Sequence, residues 1–317
     1  MHYFILFIVR WAIIFRHPRI TFWYWTLDRN KRLPNPANPK TANDKFFWRK
    51  VFDRNKGFTE ISDKLRVGNW LDRKGIHVDA APVLWSGIDP ENIPDHLLEN
   101  SVIAKANHGS GTNIILRKAP DDREAFNRKM RKFLQKKQGY RRLEWGYFNI
   151  PRKLFIEVLI PNLVAEIKVF TFDNRIERIQ ILYDFESEKG ISADVWLPDG
   201  RGGWKRFAGS PKITRSANRP WPKLADEALK IAQDIGRHFD HMRVDFLFDG
   251  DKLWFGELTL YNLGGHIPLV GDCPNEGVNA SWDLRKSNFM RIRHRGWRAL
   301  YVNSLRKALP NYEPFCK

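Results

Sequence analysis

Cysteine and histidine are scarce in this chain. Its 317 residues include only two cysteines, Cys273 and Cys316, and nine histidines. Two cysteines are too few for a disulfide framework, which excludes the small disulfide-stapled folds and makes a reducing cytoplasm the expected compartment. His238 and His241 have no second Cys or His pair near them in sequence, so a structural zinc site is not expected.

A long apolar run is also missing. The apolar stretches at residues 3–9 and 11–15 are interrupted by Arg10 and Arg16, and neither approaches the roughly 20 residues that a membrane-spanning helix needs. Aromatic residues continue beyond them, to Trp25. We expect residues 1–40 to form an arm that either contacts a membrane interface, where Trp and Tyr are favoured, or packs on the protein's own surface.

Acidic residues are outnumbered. The chain has 36 Asp and Glu against 54 Lys and Arg, for a formal net charge of +18, while 43% of its residues are hydrophobic. The apolar fraction is typical of a globular protein, and the length permits a sizeable core divided into two or three subdomains. The charge favours an anionic partner, which leaves nucleic acid, an acidic membrane surface or an acidic glycan.

Residues 242–259 contain the most informative pattern, two apolar strands joined by Asp249-Gly250-Asp251. This pattern predicts a hairpin in which a three-residue loop places Asp245 opposite Phe255. Glu257 then lies on the same face as Asp245, about 7–8 Å away along the diagonal. Two such carboxylates either share a hard cation such as Mg²⁺, or serve separately as a local backbone cap and an arginine partner.

A second pattern lies at residues 101–116, where a short strand ends near Lys105 and a small-residue loop at 107–112 leads into another strand. Glycines allow backbone N–H groups to approach phosphate oxygens, and a nearby lysine supplies compensating charge. The segment is not a Walker A loop, because no Gly-Lys-Ser/Thr follows and the next element reads as a strand. A phosphate-binding loop with paired carboxylates indicates a nucleotide and Mg²⁺.

Taken in order, several segments resemble the TupA-like ATP-grasp family, named for teichuronopeptide biosynthesis in bacterial cell walls. The resemblance covers roughly residues 43–265. It is carried by Ser62-Asp63-Lys64, Ala104-Lys105-Ala106-Asn107-His108-Gly109-Ser110-Gly111, Phe155-Ile156-Glu157-Val158-Leu159-Ile160, Glu166-Ile167-Lys168-Val169-Phe170, Arg243-Val244-Asp245 and Gly256-Glu257-Leu258-Thr259.

The resemblance implies a role for each matching residue. Lys105 contacts the nucleotide phosphates, Lys64 resembles a further lysine of related ligases, Glu157 and Leu159 belong to the hinge beside the adenine, and Glu166 reaches the ribose. The phosphate-covering loop includes Asn107, Gly109, Ser110 and Gly111. Asp245 and Glu257 match the metal-binding acids. Many relatives carry Glu-x-Asn where this chain has Glu257-Leu258-Thr259, so Thr259 offers a hydroxyl oxygen as the third ligand.

Two further cations are candidates for catalysis. Lys168, in a strand beside the hinge, is placed to hold the γ-phosphate or a substrate carboxylate. Arg243 is either a structural ion-pair partner of Glu257 or a clamp on a transferring phosphoryl group.

The periodicity predicts several other elements. Helices are expected within 45–75, at 121–138 and at 222–239, and strands at 167–172 and 176–183 are expected to flank a turn at Asp173-Asn174. The Gly-, Pro- and Arg-rich segment 186–220 is expected to form a substrate loop or an irregular excursion.

We therefore expect an α+β ATP-grasp fold in which two sheet-containing subdomains clasp a nucleotide. The expected segments are an arm at 1–40, a helical or α/β subdomain at 41–100, a lid subdomain and hinge at 101–165, a carboxy-terminal subdomain with the metal-binding hairpin at 166–275, and a basic helix at 276–317. By analogy with this fold, the expected activity is that of a carboxylate–amine ligase with ATP and Mg²⁺ as cofactors.

The expected substrates are an anionic glycan or uronic acid and an amine or amino acid, with the enzyme in the cytoplasm or at the inner face of the membrane. Peripheral membrane contact is a further expectation. The alternatives are a glycosyltransferase of surface-polysaccharide synthesis and an ATP-grasp phosphotransferase. A nucleic-acid-binding protein would explain the positive charge, but it would leave the carboxylate hairpin and the hinge glutamate without a role. Its best support is the aromatic–basic segment Phe46-Phe47-Trp48-Arg49-Lys50, which is a weak signal.

Overall fold

The computed structural model describes residues 1–28, 31–208, 215–266 and 281–310. Its helices are α1 His2–Arg16, α2 Pro18–Leu27, α3 Ala42–Val51, α4 Gly57–Ile61, α5 Val67–Arg73, α6 Asp95–Leu98, α7 Arg123–Gln135, α8 Ala225–Gly236, α9 Asn288–Arg291 and α10 Gly296–Ala308. Single 3-10 turns occur at Pro90–Asn92, Tyr140–Arg142, Trp145–Tyr147, Asn262–Gly264 and Leu284–Lys286.

The strands form two sheets. They are β1 Val83–Gly87, β2 Val102–Ala106, β3 Asn113–Leu116, β4 Leu154–Val158, β5 Ala165–Phe172, β6 Arg175–Tyr183, β7 Ser192–Pro198, β8 Trp204–Ala208, β9 Met242–Phe248 and β10 Leu253–Thr259. The four-stranded sheet has the order β1-β4-β2-β3, and the six-stranded sheet has the order β10-β9-β5-β6-β7-β8. Both sheets combine with helices, which is the predicted α+β class.

Contacts divide the chain into two compact units. Unit 1 comprises Met1–Asn55, Ile167–Val244 and Thr259–Lys317, and unit 2 comprises Lys56–Glu166 and Asp245–Leu258. The five segments expected from the sequence stay a prediction.

Unit 2 is built around the four-stranded sheet. Strand β2 alternates between buried and half-buried residues, with Val102, Ala104 and Ala106 buried. These three residues pack with Phe126 and Met130 of α7 in one hydrophobic cluster. The side chain of Asp122 accepts a hydrogen bond from the Ala125 N–H and caps the start of α7, as expected of an acidic N-cap. One face of the sheet is therefore covered by α7, and the other carries the intervening residues of β2.

The core of unit 1 includes the aromatic–basic segment in α3. Thr41 and Asp44 form a capping box at the start of this helix, which satisfies N–H groups that its first turn leaves unpaired. All five side chains, Phe46, Phe47, Trp48, Arg49 and Lys50, are completely buried. The three aromatic side chains therefore belong to the hydrophobic core, and the two cations are buried beside them. The segment does not present a surface for nucleic acid.

Buried polar contacts connect the cations of α3 to other parts of unit 1. Arg49 donates to Asp240 at 2.6 Å, to the Leu260 carbonyl at 3.0 Å and to the His241 carbonyl at 2.9 Å. Lys50 donates to the Gly264 carbonyl at 2.6 Å. Each cation thus has the oxygen partners that a buried charge requires.

Most predicted elements are present. The strands at 167–172 and 176–183 are confirmed as β5 and β6, and Asp173 in their turn has a positive φ of 58°. The helices predicted at 121–138 and 222–239 are confirmed with shorter ends as α7 and α8. The irregular segment predicted at 186–220 is wrong in part, because β7 and β8 pair antiparallel within it. β8 is an edge strand of the six-stranded sheet, a position where Gly- and Pro-rich neighbours are tolerated.

No helix among the described residues combines the length and apolarity needed to cross a bilayer. The predicted apolar arm forms α1 and α2. Helix α1 packs against α10, and Tyr24 of α2 stacks on Phe47 of α3 at 5.2 Å between ring centroids.

Candidate functional site

Lys105 and Glu157 occupy one face of the four-stranded sheet. In the register, Lys105 lies opposite Phe155 and Ile103 lies opposite Glu157. Directly opposed residues share a face, so the Lys105 and Glu157 side chains are diagonal neighbours. They form an ion pair in which about one-sixth of each side chain is exposed (17% and 15%). The face opposite to α7 therefore carries the predicted phosphate lysine beside the predicted hinge acid.

Apolar side chains flank this pair. Ile115 of β3 lies opposite Ile103, and Val83 of β1 lies opposite Glu157. Ile115 is 59% exposed and Val83 is 48% exposed. The sheet thus presents an uncovered apolar surface on both sides of the Lys105–Glu157 pair. The hinge continues from β4, where the Leu159 N–H donates to the Ser101 carbonyl at 3.0 Å.

Asn107 anchors the start of the glycine-rich loop. Its side-chain N–H₂ donates to Asp63 at 2.8 Å and to the Pro151 carbonyl at 3.0 Å, and its side-chain oxygen accepts from the Lys153 N–H at 2.8 Å. Its carbonyl also accepts from the Lys64 N–H at 3.1 Å. Asn107 is 1% exposed, so this amide is fully engaged in fixing the loop against the segment that carries Lys64.

Asp63 is a positioning residue for which sequence reasoning assigned no role. Burial raises the pKa of its carboxyl, while hydrogen bonds from the Leu65 N–H and the Asn107 amide oppose that increase. The available signal was its position next to Lys64 in the segment that carries the family resemblance.

The rest of the loop contacts the segment that follows α7. The Lys136 ammonium donates to the Ser110 carbonyl at 2.7 Å. A Cβ on Gly109 would approach the Gln138 side chain to 2.9 Å, so a larger residue is hindered there. Gly111 has a φ of +67°, a conformation that favours glycine. Burial lowers the pKa of His108 in this loop, which argues for a neutral imidazole at pH 7.

The hairpin is confirmed, with a tighter turn than predicted. The Asp249 N–H donates to the Lys252 carbonyl at 3.3 Å, so two residues separate the paired positions instead of three. Correspondingly, a Cβ on Gly256 would lie 2.9 Å from the Asp245 carbonyl oxygen. Gly256 therefore lies beside Asp245, and the predicted opposition of Asp245 to Phe255 is wrong by one residue. Because side chains alternate along a strand, this register also removes the argument that placed Glu257 on the same face as Asp245.

Glu257 pairs with a lysine that is remote in sequence. Its carboxylate lies 2.9 Å from the Lys64 ammonium, and the two side chains are 36% and 20% exposed. Asp245, on the neighbouring strand, is 2% exposed. Unit 2 therefore contains both predicted metal acids, the two predicted phosphate lysines, the loop and the hinge.

The chemistry of these acids fits Mg²⁺. Asp245 and Glu257 offer carboxylate oxygens, which are the donors that this cation prefers, and Mg²⁺ in nucleotide sites takes its remaining ligands from phosphates and water. Among the described residues, no group of three or more His, Cys, Asp and Glu side chains is arranged to hold a metal. The arrangement fits a cation held jointly with a nucleotide better than a metal cage made by the protein alone. Thr259, the last residue of β10, is 8% exposed.

The remaining candidates lie on strands of the six-stranded sheet. Glu166 and Lys168 are two residues apart on β5 and are both half-buried. Arg243 on β9 is 9% exposed and donates to the Asn262 side chain at 2.5 Å. Lys168 and Arg243 belong to unit 1. The roles of all these residues stay predictions.

Residues 44–269 match the TupA-like ATPgrasp family, which covers more than two-thirds of the chain. The chain belongs to this family. The TupA-like ATP-grasp match begins in α3 and extends beyond Asn262–Gly264, so it includes every candidate residue described above. The predicted ATP-grasp fold is confirmed by this membership together with the two sheets. No curated protein matches the sequence significantly.

Solved structures similar to this TupA-like ATP-grasp protein include ATP-grasp ligases. The ADP complex of purK, N5-carboxyaminoimidazole ribonucleotide synthetase, is 11% identical with a TM-score of 0.41, over 63% of this chain and 45% of that one. D-Alanine–D-alanine ligase from Bacillus anthracis with ATP is 15% identical with a TM-score of 0.37, over 63% and 55%. The ATP-grasp ligase PsnB with its minimal precursor is 11% identical with a TM-score of 0.39, over 81% and 63%. The chain therefore spans about half the length of the first two.

Proposed function

We propose that this protein is an ATP-dependent ligase that joins a carboxylate to an amine. Membership of the ATP-grasp family supports the use of ATP. The observation that carries the proposal is the grouping within unit 2 of two lysines, a glycine-rich loop and two carboxylates, with Lys64 paired to Glu257 and Lys105 to Glu157. A nucleoside triphosphate with a divalent cation would supply binding partners for all of these groups: phosphates for the lysines and the loop, and the cation for the carboxylates.

The uncovered face of the four-stranded sheet suits the nucleotide. Ile103, Ile115 and Val83 offer apolar contact to the adenine, while Lys105 supplies positive charge for the phosphates. A phosphate oxygen would replace the Glu157 carboxylate as a partner of Lys105, and Glu157 would then accept a hydrogen bond from the nucleotide. Glu166 at the start of β5 is the proposed ribose contact.

Asp245 and Glu257 would hold Mg²⁺, with Thr259 as a further oxygen donor. When bound, the cation neutralises charge on the phosphate oxygens. Lys64 lies at 2.9 Å from Glu257, and would turn to the phosphates once the acid binds the cation. The two lysines and the N–H groups of the glycine-rich loop then hold the triphosphate, and the closed loop excludes water from the reacting groups.

The proposed chemistry has two steps. A carboxylate oxygen of the first substrate attacks the γ-phosphorus, the bond to the β,γ-bridging oxygen breaks, and ADP leaves with an acyl phosphate formed. The amine then attacks the acyl carbon, loses a proton, and displaces inorganic phosphate. Lys168 and Arg243 are the proposed contacts for the transferred phosphoryl group, since a guanidinium or ammonium stabilises charge on its oxygens.

The proposed acid substrate is a uronic acid or an acidic surface polysaccharide, and the proposed amine is an amino acid. The net charge of +18 favours a polyanionic substrate over a neutral one. We place this reaction in the cytoplasm, at the inner face of the membrane.

Calorimetry with Mg²⁺ tests the nucleotide, using ATP and UDP-glucose as the alternative ligands. The wild type is expected to bind ATP, and Asp245→Asn is expected to weaken that binding at least tenfold. Asp251→Asn changes an exposed acid in the turn of the same hairpin and is expected to bind ATP normally. Tight binding of UDP-glucose with no binding of ATP would reject the ligase and favour a glycosyltransferase.

The second step is tested by ADP release with D-glucuronate and mixed amino acids. Release that requires both substrates supports the ligase. ADP release that requires an acceptor but no amine would instead identify a phosphotransferase.

A further inference from the structure

Arg178 is a buried cation with no counter-ion in the described part of the chain. It lies on β6, is 4% exposed, and its Nε is buried without a hydrogen-bond partner. Across the described residues, its side chain makes neither a hydrogen bond nor an ion pair, and its guanidinium packs over the Phe170 ring at 5.1 Å. Burial, with Arg243 adding to it, lowers the pKa of Arg178 to about 10, so the group still carries its charge at pH 7.

Arg49 shows how unit 1 supplies hydrogen-bond and ion-pair partners to a buried arginine that has a structural role. Arg49 is completely buried, and it donates to Asp240 and to two backbone carbonyls. Leaving a charge of this kind uncompensated strongly destabilises the folded state. Arg178 has no such partners among the residues that the structure describes, which leaves its charge available to an anionic ligand.

The position of Arg178 on the sheet can be assigned. A Cβ on Gly236 of α8 would lie 2.8 Å from the Thr171 side chain, so Thr171 points towards that helix. Side chains alternate along a strand, which places Lys168 and Phe170 on the other face. Arg178 covers Phe170 and shares this face.

Arg243 on β9 is close enough to Arg178 to oppose its charge, and its guanidinium is oriented by Asn262 at 2.5 Å. The face away from α8 thus concentrates positive charge from neighbouring strands of unit 1.

We propose that Arg178, together with Arg243, binds an oxyanion of the acidic substrate, either a carboxylate or a phosphate group. A planar guanidinium donates two parallel hydrogen bonds to either group. The oxyanion site itself does not depend on the proposed ligase function. The further step, that the bound oxyanion is the carboxylate that ATP activates, rests on that function.

Thermal unfolding of the whole chain, without nucleotide, tests this site with inorganic phosphate and D-glucuronate as probes. Both the wild type and Arg206→Met, which alters an exposed arginine on β8, are expected to gain several degrees with at least one probe. Arg178→Met is expected to lose most of this gain. Without the probe it is expected to be as stable as the wild type or more so, because an apolar side chain replaces an unpaired charge.

Stabilisation by phosphate alone identifies a phosphate site, and stabilisation by glucuronate identifies a carboxylate site. An equal gain in Arg178→Met, or no gain in the wild type, overturns the proposal. Arg178→Lys, which keeps the charge but loses the paired donors, is expected to keep a smaller gain and serves if Arg178→Met does not fold. ATP binding is measured on the same proteins, so its loss would reject the ligase while leaving the oxyanion result intact.

A separate observation concerns the exposed aromatic face of α1. Large apolar side chains on successive turns of this helix are half exposed or more: Tyr3 63%, Phe4 67%, Phe7 57%, Ile8 50% and Phe15 75%. Leu6, Ile13 and Ile14 of the same helix are buried. The helix therefore uses one side for packing and leaves a second apolar side uncovered.

The neighbouring helix extends this surface. Trp297 and Leu300 of α10 are each 57% exposed, and α10 packs against α1. Exposed arginines occur on the two helices and in the segments next to them, at positions 16, 19, 291, 293, 295 and 298. Aromatic side chains bordered by arginines are suited to the headgroup region of a bilayer.

We infer that α1 and α10 bind the surface of an anionic membrane. Charge complementarity favours this occupant over a neutral surface, because the chain carries a net charge of +18 and basic groups near an anionic bilayer strengthen binding. The inferred contact is peripheral.

Vesicle flotation tests this inference with phosphatidylglycerol and phosphatidylcholine vesicles. The wild type is expected to float with phosphatidylglycerol only, and Phe4→Ser/Phe7→Ser is expected to lose at least 90% of that binding. Ile88→Ser removes a side chain that is 69% exposed in unit 2, and is expected to float like the wild type. Failure of the wild type to float overturns the inference. So does a dimer in sedimentation that Phe4→Ser/Phe7→Ser dissociates, since a second copy would then cover the face.

Discussion

The ammonium group of Lys64 lies 2.9 Å from a carboxylate oxygen of Glu257, although 193 residues separate them in the chain. Lys64 follows α4, and Glu257 lies on β10. This contact joins a predicted phosphate ligand to a predicted metal ligand. We expect this contact to weaken when a cation binds Glu257, because the cation and the Lys64 ammonium then compete for the negative charge of one carboxylate.

Glu257→Gln is therefore expected to reduce ATP turnover by at least a hundredfold while changing the free energy of unfolding little. The pair is partly exposed, and such pairs contribute up to about 1 kcal/mol. ADP release and urea unfolding measure the two effects. Glu60→Gln, which alters a half-buried acid paired with Arg73 at 2.7 Å, is expected to leave turnover unchanged. A fully active Glu257→Gln protein would remove Glu257 from the proposed site.

Lys105→Met is expected to weaken ATP binding by about ten- to a hundredfold, since a hydrogen bond to a charged group contributes about 1.5–3 kcal/mol. The substitution also leaves Glu157 without its lysine partner on the sheet face. Calorimetry with ATP and with adenosine separates the two consequences, because adenosine lacks the phosphates. Lys118→Met, at an exposed lysine paired with Asp121, is the control and is expected to bind ATP like the wild type. A loss confined to adenosine would assign Lys105 to the base pocket.

Asp53→Asn is expected to stabilise the protein above pH 7. Burial, with Asp240 adding to it, raises the pKa of Asp53 from 3.8 to about 7. The folded chain therefore retains a proton that the unfolded chain has released, and the stability contribution is present at low pH and is lost as the pH rises from about 4 to about 7. The Asn side chain resembles the protonated acid and keeps an acceptor for the Phe289 N–H, which donates to Asp53 at 2.9 Å.

Urea unfolding between pH 5 and 8 measures this effect as the difference between Asp53→Asn and the wild type. The difference is expected to grow with pH by roughly 1–3 kcal/mol. Asp234→Asn, at an exposed acid on α8 that pairs with Arg237 at 3.0 Å, is expected to follow the wild-type profile. A difference that stays constant from pH 5 to 8 would show that Asp53 is ionised throughout that range.

Arg49→Met is expected to destabilise the chain by about 3–5 kcal/mol, because it leaves a buried acid uncompensated. Asp240 would retain only the Trp282 indole N–H, at 2.7 Å, of its described side-chain partners. Chemical unfolding measures the loss, and Arg49→Met/Asp240→Leu is expected to recover much of it by removing the acid as well. Arg237→Met serves as the exposed control. Lower stability in the double variant than in Arg49→Met would mean that the ion pair is not the main contribution of Arg49.

Sequence predictions were most accurate where they depended on interactions between residues that are close together in the chain. Alternation and turn residues act over a few positions, so β5, β6 and the carboxylate hairpin were predictable from local pattern. Strands β7 and β8 were missed because pairing of β7 with β6 and with β8 outweighed their Gly- and Pro-rich flanks. The hairpin turn was one residue too long in prediction, since several two- and three-residue loops are compatible with Asp-Gly-Asp.

The candidate site shows the same division. The ordered motifs named Lys105, the glycine-rich loop, Asp245 and Glu257, because a phosphate and a hard cation require those residue types. The role of Asp63 was not recognised, since nothing local relates it to Asn107, which is 44 residues away.

The amino-acid sequence by itself determined the family, the glycine-rich loop and the chemical types of the candidate ligands. Tertiary structure alone decided which charges meet and which do not. It buried Arg49 with Asp240, paired Lys64 with Glu257, and placed Arg178 over Phe170 without a described acid partner. The physical reason is that the free energy of a charge depends on its burial and on partners brought together by folding, and neither quantity is a property of the local sequence.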